Sequence, residues 1–237
     1  MPSMSIAQNL VQVRERINAA ARRAGRRSED IALMAVSKMF PAERIREAYD
    51  AGLRLFGESR VQELAGKIDS LSDLPAVEWH LIGHLQTNKA TKAVELFASV
   101  DSVDSLRLAQ KLDASARQVS KKIGVLIEIN IGGEAAKSGL APGSRELEEL
   151  LLGAHGLEYL EFRGLMAVPP FTDDPQEARP YFRRLRELRD QITARRLSGV
   201  DVGILSIGMS HDFEVAIEEG SNCVRVGTAI FGERSRK

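Results

Sequence analysis

The run Ile31-Ala-Leu-Met-Ala-Val-Ser37-Lys38, followed by Met-Phe-Pro41, decides the fold. Six apolar residues with turn chemistry at the far end describe a strand buried on both faces, the habit of a parallel sheet. A lysine at the carboxyl end of such a strand stands where α/β folds place their ligands. The plainer reading is that Lys38 marks the point where the strand meets water.

Upstream of this run, Ile6, Leu10, Val13 and Ile17 recur at helical spacing. Arg14, Arg16, Arg22, Arg23, Arg26 and Arg27 then form the wet face of a docked helix rather than a transit peptide. Downstream, strands and helices alternate. Strands are expected over 31–38, 53–56, 77–82, 97–100, 124–129, 162–166, 203–207 and 223–226. Helices are expected from Pro41 to near Gly52, over 59–71, from Asn88, along Ala109, Leu112, Ala116 and Val119, and over 144–154. Further helical segments follow along Tyr181, Leu185, Leu188 and Ile192, over 212–219, and in a last turn from Thr228. Eight strand–helix units at intervals of about 25 residues predict an α/β fold, a single (β/α)8 TIM-type barrel with an extra N-terminal helix. The alternative is an open doubly wound sheet. With no low-complexity linker and no shift in composition, residues 1–237 read as one domain.

Lys+Arg and Asp+Glu both number 33, so no net field gathers nucleic acid or an acidic membrane surface. The one cysteine, Cys223, excludes an internal disulfide framework and fits a reducing compartment. No apolar run approaches transmembrane length. These features predict a soluble, cytoplasmic protein, taken as a monomer, with neither nucleic acid nor membrane as partner. No His, Cys, Asp or Glu cluster has metal-ligand spacing.

In a barrel of this kind the carboxyl ends of the strands open onto one face. The sequence brings there Ser37 and Lys38, Gly57-Glu58-Ser59-Arg60, and Gly83-His84-Leu85-Gln86-Thr87-Asn88-Lys89. Later strands add Asn130 with Lys137-Ser138-Gly139, Met166-Ala167-Val168-Pro169, Ser206-Ile-Gly208-Met209-Ser210-His211 and Arg225-Val-Gly227-Thr228. After the last two strands, Gly208 with Ser210 and Gly227 with Thr228 combine close backbone approach and hydroxyl donors at helix starts. That is the chemistry of an anion cradle. The alternative is that the glycines only turn the chain and Ser210 only caps a helix. Asp212 and Glu214, in the first turn, would repel a phosphate that came too close. A lysine amine facing such a cradle condenses with an aldehyde once its neutral form is favoured. Pyridoxal 5′-phosphate (PLP) carries an aldehyde and a phosphate at two corners of one ring. Arg225 has two candidate tasks: the pyridine nitrogen between those corners, or a salt bridge to an inward acid such as Glu128.

Ala35-Val-Ser-Lys38, Phe56-Gly-Glu58, Trp79-His-Leu-Ile-Gly-His-Leu-Gln-Thr-Asn-Lys89, Lys137-Ser-Gly139, Gly164-Leu-Met166, Leu205-Ser-Ile-Gly-Met-Ser210 and Val224-Arg-Val-Gly-Thr-Ala-Ile-Phe-Gly232 together resemble the pyridoxal-phosphate homeostasis proteins. Those proteins are similar to the barrel domain of alanine racemases. The resemblance spans nearly the whole chain. It implies that Lys38 forms the internal aldimine, that Arg225 meets the pyridine nitrogen, and that Ser210, Gly227 and Thr228 help to hold the phosphate. Ser206, Gly208 and Met209 complete the expected cofactor-binding set, and no catalytic residue is expected. Where the family has Asn after Phe-Gly-Glu, this chain has Ser59.

Among the other candidates, His80 reads as a satisfied interior residue. His84 and His211 stand at the mouth, either as acid–base groups or as hydrogen-bond partners of loop backbone. Lys89 and Lys137 are second amines or solvated loop lysines, and Cys223 reads as a small core residue.

Three functions compete: a PLP carrier or regulator of vitamin B6 homeostasis, a PLP-dependent amino-acid racemase, and a barrel that binds a sugar phosphate. An arginine at the pyridine nitrogen keeps the ring a weak electron sink. Racemisation needs a base on each face of the substrate, and the resemblance implies that the second base in alanine racemase is a tyrosine from a separate β domain. The chain is expected to lack that domain, and Tyr49, Tyr159 and Tyr181 fall in helices or at the wrong end of a strand. The expectation is therefore a carrier rather than a robust catalyst, with apo forms of PLP-dependent enzymes as recipients.

Overall fold

The structure is a computed structural model that describes residues 5–134 and 138–233. Eight parallel strands close into a barrel in sequence order, with the last pairing with the first. They are β1 (Ala32–Val36), β2 (Leu55–Glu58), β3 (Glu78–Leu81), β4 (Ser99–Val103), β5 (Ile123–Glu128), β6 (Leu160–Met166), β7 (Val200–Ser206) and β8 (Cys223–Val226). Helix α1 (Ile6–Arg23) precedes them. The barrel is wrapped by α2 (Ala42–Asp50), α3 (Val61–Ala65), α4 (Ala90–Leu96), α5 (Leu106–Gln118), α6 (Arg145–Gly153), α7 (Arg179–Ala194) and α8 (Phe213–Glu218), and α9 (Thr228–Phe231) ends the described fold. The expected (β/α)8 barrel with an extra N-terminal helix is the architecture found.

Alternation along each strand divides the protein into two interiors. Ala35, Phe56, Trp79, Leu81, Val100, Val125, Ile127, Phe162, Leu165, Leu205, Val224 and Val226 face outward into one continuous apolar core beneath the helices. Their alternates point into the barrel, and there the lining is mixed. Met34, Leu126 and Met166 share it with Ser99, Asp101, Glu128, Ser206, Cys223 and Arg225, all of them buried. The outer core supplies the apolar burial, so the inner one is free to carry chemistry.

Helix α1 is started by a reciprocal capping box between Ser5 and Gln8, and it buries Ile6, Leu10, Val13 and Ile17 as its spacing predicts. Its arginines are not all solvated. Arg16 pairs with Glu214 at 2.8 Å and Arg23 with Glu218 at 2.7 Å, while Arg26 donates to the carbonyls of Ile217 and Ser221. The polar side of α1 is therefore half of its docking onto α8.

Several elements differ from the sequence reading, among them β7, which begins at Val200 rather than at 203, and β1, which ends at Val36 rather than at 38. β2 begins two residues later than expected and takes Gly57 and Glu58 into the sheet, where Gly57 makes room for the Met34 thioether. β4 runs on through Asp101 and Ser102, because polar side chains line the barrel there. The expected helix over 59–71 breaks at Gly66, a poor helix former, into α3 and a 3₁₀ turn at Ile68–Leu71.

β6 pairs tightly with β7 at Gly164, where an added β-carbon would lie 2.0 Å from the Ile204 carbonyl oxygen. Gly164→Ala forces two strand backbones apart. It is expected to cost about 1–3 kcal/mol or more, read as a lowered denaturation midpoint with an unchanged slope.

Candidate functional site

The site is built from the carboxyl ends of the strands. Lys38 lies two residues beyond β1, half-buried, in a turn closed by the Phe40 N–H donating to the Ser37 carbonyl at 3.1 Å. Met39, next to it, has φ 68°, a left-handed conformation uncommon for a residue with a β-carbon.

On the adjacent β8, which pairs with β1, Arg225 is 3% exposed. Its Nη1 donates to the Ser206 carbonyl at 2.6 Å and to Ser206 Oγ at 2.8 Å, and its Nη2 donates to the Ala167 carbonyl at 2.8 Å. No described carboxylate lies within ion-pairing distance of it, so the Glu128 salt bridge does not form. Burial lowers the guanidinium pKa, while Cys223, Asp101, Asp212 and Glu128 act in the opposite direction. Three acceptors drawn from β6 and β7 thus hold a buried cation in one orientation.

The loops after β7 and β8 are tied together by Ser210. Its Oγ accepts from the backbone N–H groups of Gly227 at 3.2 Å and Ala229 at 3.3 Å. Ser210 is therefore not a helix cap, since α8 begins only at Phe213. Two amides converging on one oxygen have the geometry of an anion cradle, filled here by the Ser210 hydroxyl. Gly208, whose carbonyl accepts the Arg225 N–H at 3.0 Å, has φ 91° and packs against Phe213 and Ala216 too tightly for a side chain. Thr228 is exposed at the start of α9.

The two acids in the first turn do not oppose an anion as the sequence suggested. Asp212 is buried and accepts the Met209 N–H at 2.6 Å, and burial raises its carboxyl pKa. Glu214 is turned away to Arg16.

The mouth holds further groups. His84 pairs with Asp104 at 3.2 Å. His211 contacts the Asp173 carbonyl at 3.0 Å, with Phe171 against its ring. Lys89 is half-buried in a 3₁₀ turn, and Lys137 lies outside the described residues. His80 sits in the barrel as a satisfied interior residue, 2.9 Å from Asp101, which also accepts from Ser99 Oγ at 2.6 Å. Burial pushes the Cys223 thiol up to about 11.

Asp101 and Asp104 were not singled out from the sequence. Ser99 and Asp101, alternating about Val100, are the signal that marks this strand's polar inner face, before the register shifts at Val103. Among the described residues no cluster of three or more His, Cys, Asp or Glu is arranged to hold a metal ion, and no helix is long and apolar enough to cross a membrane.

Comparison with known proteins gives this geometry a family. The profile of the alanine racemase N-terminal domain matches residues 8–235. The pyridoxal phosphate homeostasis protein of Aquifex aeolicus is 45% identical over 231 residues, which is 98% of this chain and 99% of the relative. The chain belongs to the pyridoxal phosphate homeostasis protein family. Its counterpart in Escherichia coli K12 is 43% identical over 97% of both chains. The structure of PipY from Synechococcus elongatus PCC7942 with PLP bound superposes with a TM-score of 0.84 at 36% identity, covering 96% of this chain and all of that one. An alanine racemase of Clostridium difficile shares the barrel at 18% identity and a TM-score of 0.72, a likeness of fold alone.

The Glu128 carboxyl, at the inner carboxyl end of β5, is 8% exposed. Ser138 donates to its Oε1, and its Oε2 is without a hydrogen-bond partner. Burial raises its pKa above the usual 4.5. A raised acid pKa means that the folded state holds its proton more tightly than the unfolded one, so this residue's contribution falls as pH rises above about 4.5. Glu128→Gln, which keeps the shape and removes the charge, is expected to raise the melting temperature at pH 7 and to lose that advantage near pH 4. Calorimetry of the cofactor-free protein at the two pH values checks the sign.

Proposed function

We propose that this protein binds pyridoxal 5′-phosphate through Lys38 and serves vitamin B6 homeostasis as a carrier or regulator, the whole chain acting as one unit. The observation that carries the reading is the convergence of three chemistries on one barrel face. A lysine follows β1, a buried guanidinium comes from β8, and a pair of backbone amides follows β8. An aldehyde, a pyridine nitrogen and a phosphate need these three groups in turn. The PLP-bound relative PipY, alike along its whole length, supports the same cofactor.

Lys38 would hold the cofactor, whose aldehyde would supply a reversible condensation with the Nζ amine and loss of one water. The remaining roles belong to the chain. Arg225 donates to the ring nitrogen and leaves it unprotonated. Ser206 and the Ala167 carbonyl hold that guanidinium. Ser210, Gly227 and Thr228 bind the phosphate, with Gly208 and Met209 shaping the loop beneath.

A carrier fits these residues better than a racemase. A cationic partner at the ring nitrogen makes a weak electron sink. All three tyrosines lie away from the mouth, Tyr49 in α2, Tyr159 before β6 and Tyr181 in α7. His84 and His211 are engaged by Asp104 and by the Asp173 carbonyl. Apo forms of PLP-dependent enzymes are the recipients we infer, with the carrier acting as a monomer in the cytoplasm.

Added PLP is expected to give an absorption band near the visible edge and, after borohydride, a stable mass increment on Lys38. Lys38→Ala should lose both while its melting curve stays near that of the unmodified protein, because a strand-end lysine adds little to core packing. An unchanged reducible adduct in the variant overturns the assignment.

The PLP-loaded protein should deliver its cofactor to an apo-enzyme yet exchange the Cα proton of L- or D-alanine in deuterated water no faster than free PLP, followed by NMR. Exchange at a catalytic rate that disappears in His84→Ala or His211→Ala would make the protein a racemase instead.

A further inference from the structure

A partly buried ionic cluster grips the turn that carries Lys38, and none of its members is used by the cofactor roles above. On the β2 side, the Ser37 N–H donates to the Gly57 carbonyl at 3.0 Å, and Ser37 Oγ donates to Glu58 Oε1 at 2.6 Å. On the α3 side, the Met39 N–H donates to Glu63 Oε1. Lys67, which follows α3, closes the arrangement. Its Nζ reaches Glu63 Oε1 at 2.7 Å, Glu58 Oε1 at 3.2 Å and the Ser37 carbonyl at 3.5 Å. The residues on both sides of Lys38 are thus held by two carboxylates that share one ammonium group.

The cluster is expensive to keep. Ser37 and Glu58 are fully buried, and Glu58 Oε2 is without a hydrogen-bond partner. Burial raises the Glu58 carboxyl pKa against the opposing pull of Ser37 and Lys67. If the only task were to join β2 to the outer helices, apolar side chains of the same volume would do it at lower cost. What the ionic groups add is direction. They hold Ser37 and Met39 by specific hydrogen bonds and so maintain the left-handed backbone at Met39, which is otherwise disfavoured.

We propose that Glu58, Glu63 and Lys67 are positioning residues for Lys38: they fix the 37–39 backbone from which the lysine meets its aldehyde, and they leave the ring and phosphate ends of the site untouched. The inference rests on Lys38 being the amine that takes the cofactor.

The test separates the two ends of the ligand. PLP is compared with pyridoxine 5′-phosphate, which keeps the ring and phosphate but has no aldehyde. Ser37→Ala, Glu63→Gln and the charge-balanced pair Glu63→Gln with Lys67→Met are made in the unmodified chain and in Lys38→Ala, with melting curves recorded for each. In the unmodified background the variants are expected to weaken PLP binding roughly tenfold and to slow borohydride trapping on Lys38, the scale of losing a hydrogen bond to a charged group. Affinity for pyridoxine 5′-phosphate should not change. In the Lys38→Ala background the same substitutions should leave PLP affinity alone, because the coupling partner is gone. Equal losses for both ligands, or the same loss with and without Lys38, overturn the positioning role and make the cluster a structural one. Absence of any borohydride-trapped Lys38 in the unmodified protein instead removes the cofactor reading, and the clamp with it.

Discussion

The buried guanidinium of Arg225 is the constraint around which the barrel mouth is arranged. Removing a cation from water costs several kcal/mol after relaxation, and among the described residues no carboxylate pairs with it directly, Asp101, Asp212 and Glu128 acting only from a distance. The cost is met by the Ser206 carbonyl and hydroxyl and by the Ala167 carbonyl, at the ends of β7 and β6. Two are backbone carbonyls at the carboxyl-terminal rim of the barrel, that of Ser206 accepting the Ala167 N–H as well, and the third is a side-chain hydroxyl. One side chain therefore locks three adjacent strand ends together. A carboxylate partner would have drawn the arginine toward itself. Neutral oxygens leave the cation's field available to a ligand in the lumen.

The neighbouring loops follow from the same economy of donors and acceptors. Ser210 occupies the amides of Gly227 and Ala229, and Asp212 occupies the amide of Met209. The two tasks differ in consequence. Asp212 is locked in place as part of the loop, and burial raises its carboxyl pKa. Ser210 is a neutral hydroxyl that hydrogen-bonds beside an incoming anion without repelling it. The anion end of the site is thus made from backbone and one hydroxyl, with the nearest acid already engaged and Glu214 paired on the far side with Arg16.

How much of this was legible in the sequence depended on whether a residue's task leaves a periodic trace. The apolar run ending at Lys38 announced a parallel sheet, because strands buried on both faces have to be nearly continuous in apolar residues, and eight strand–helix units in succession announced its closure into a barrel. Lys38, Gly208, Ser210, Arg225, Gly227 and Thr228 stood out because strand ends and glycine–hydroxyl loops are local patterns. The stretch 99–103 did not, since its inward Ser99 and Asp101 interrupt the apolar run and disguise the end of β4. The partners of Arg225 were also beyond reach, because carbonyl acceptors carry no residue signature. Lys67 was missed for a related reason. In sequence it is one more helix-flanking lysine, and only the break at Gly66 brings it under the turn of Ser37 and Met39.

These placements divide the mouth into two mechanical parts. Arg225, Ser206 and the loops after β7 and β8 are braced by β6 through β8, whereas the Lys38 turn is braced by β2 and α3 through Glu58 and Glu63. On the proposed reading, the noncovalent hold on ring and phosphate is set by β6 through β8, and the covalent hold on the aldehyde by the turn after the neighbouring β1. For a carrier of the kind proposed, such separation has a physical use. Water opens an imine without disturbing contacts to a ring or a phosphate, so the two holds would be loosened one at a time, and release would pass two smaller barriers rather than one that is the sum of both.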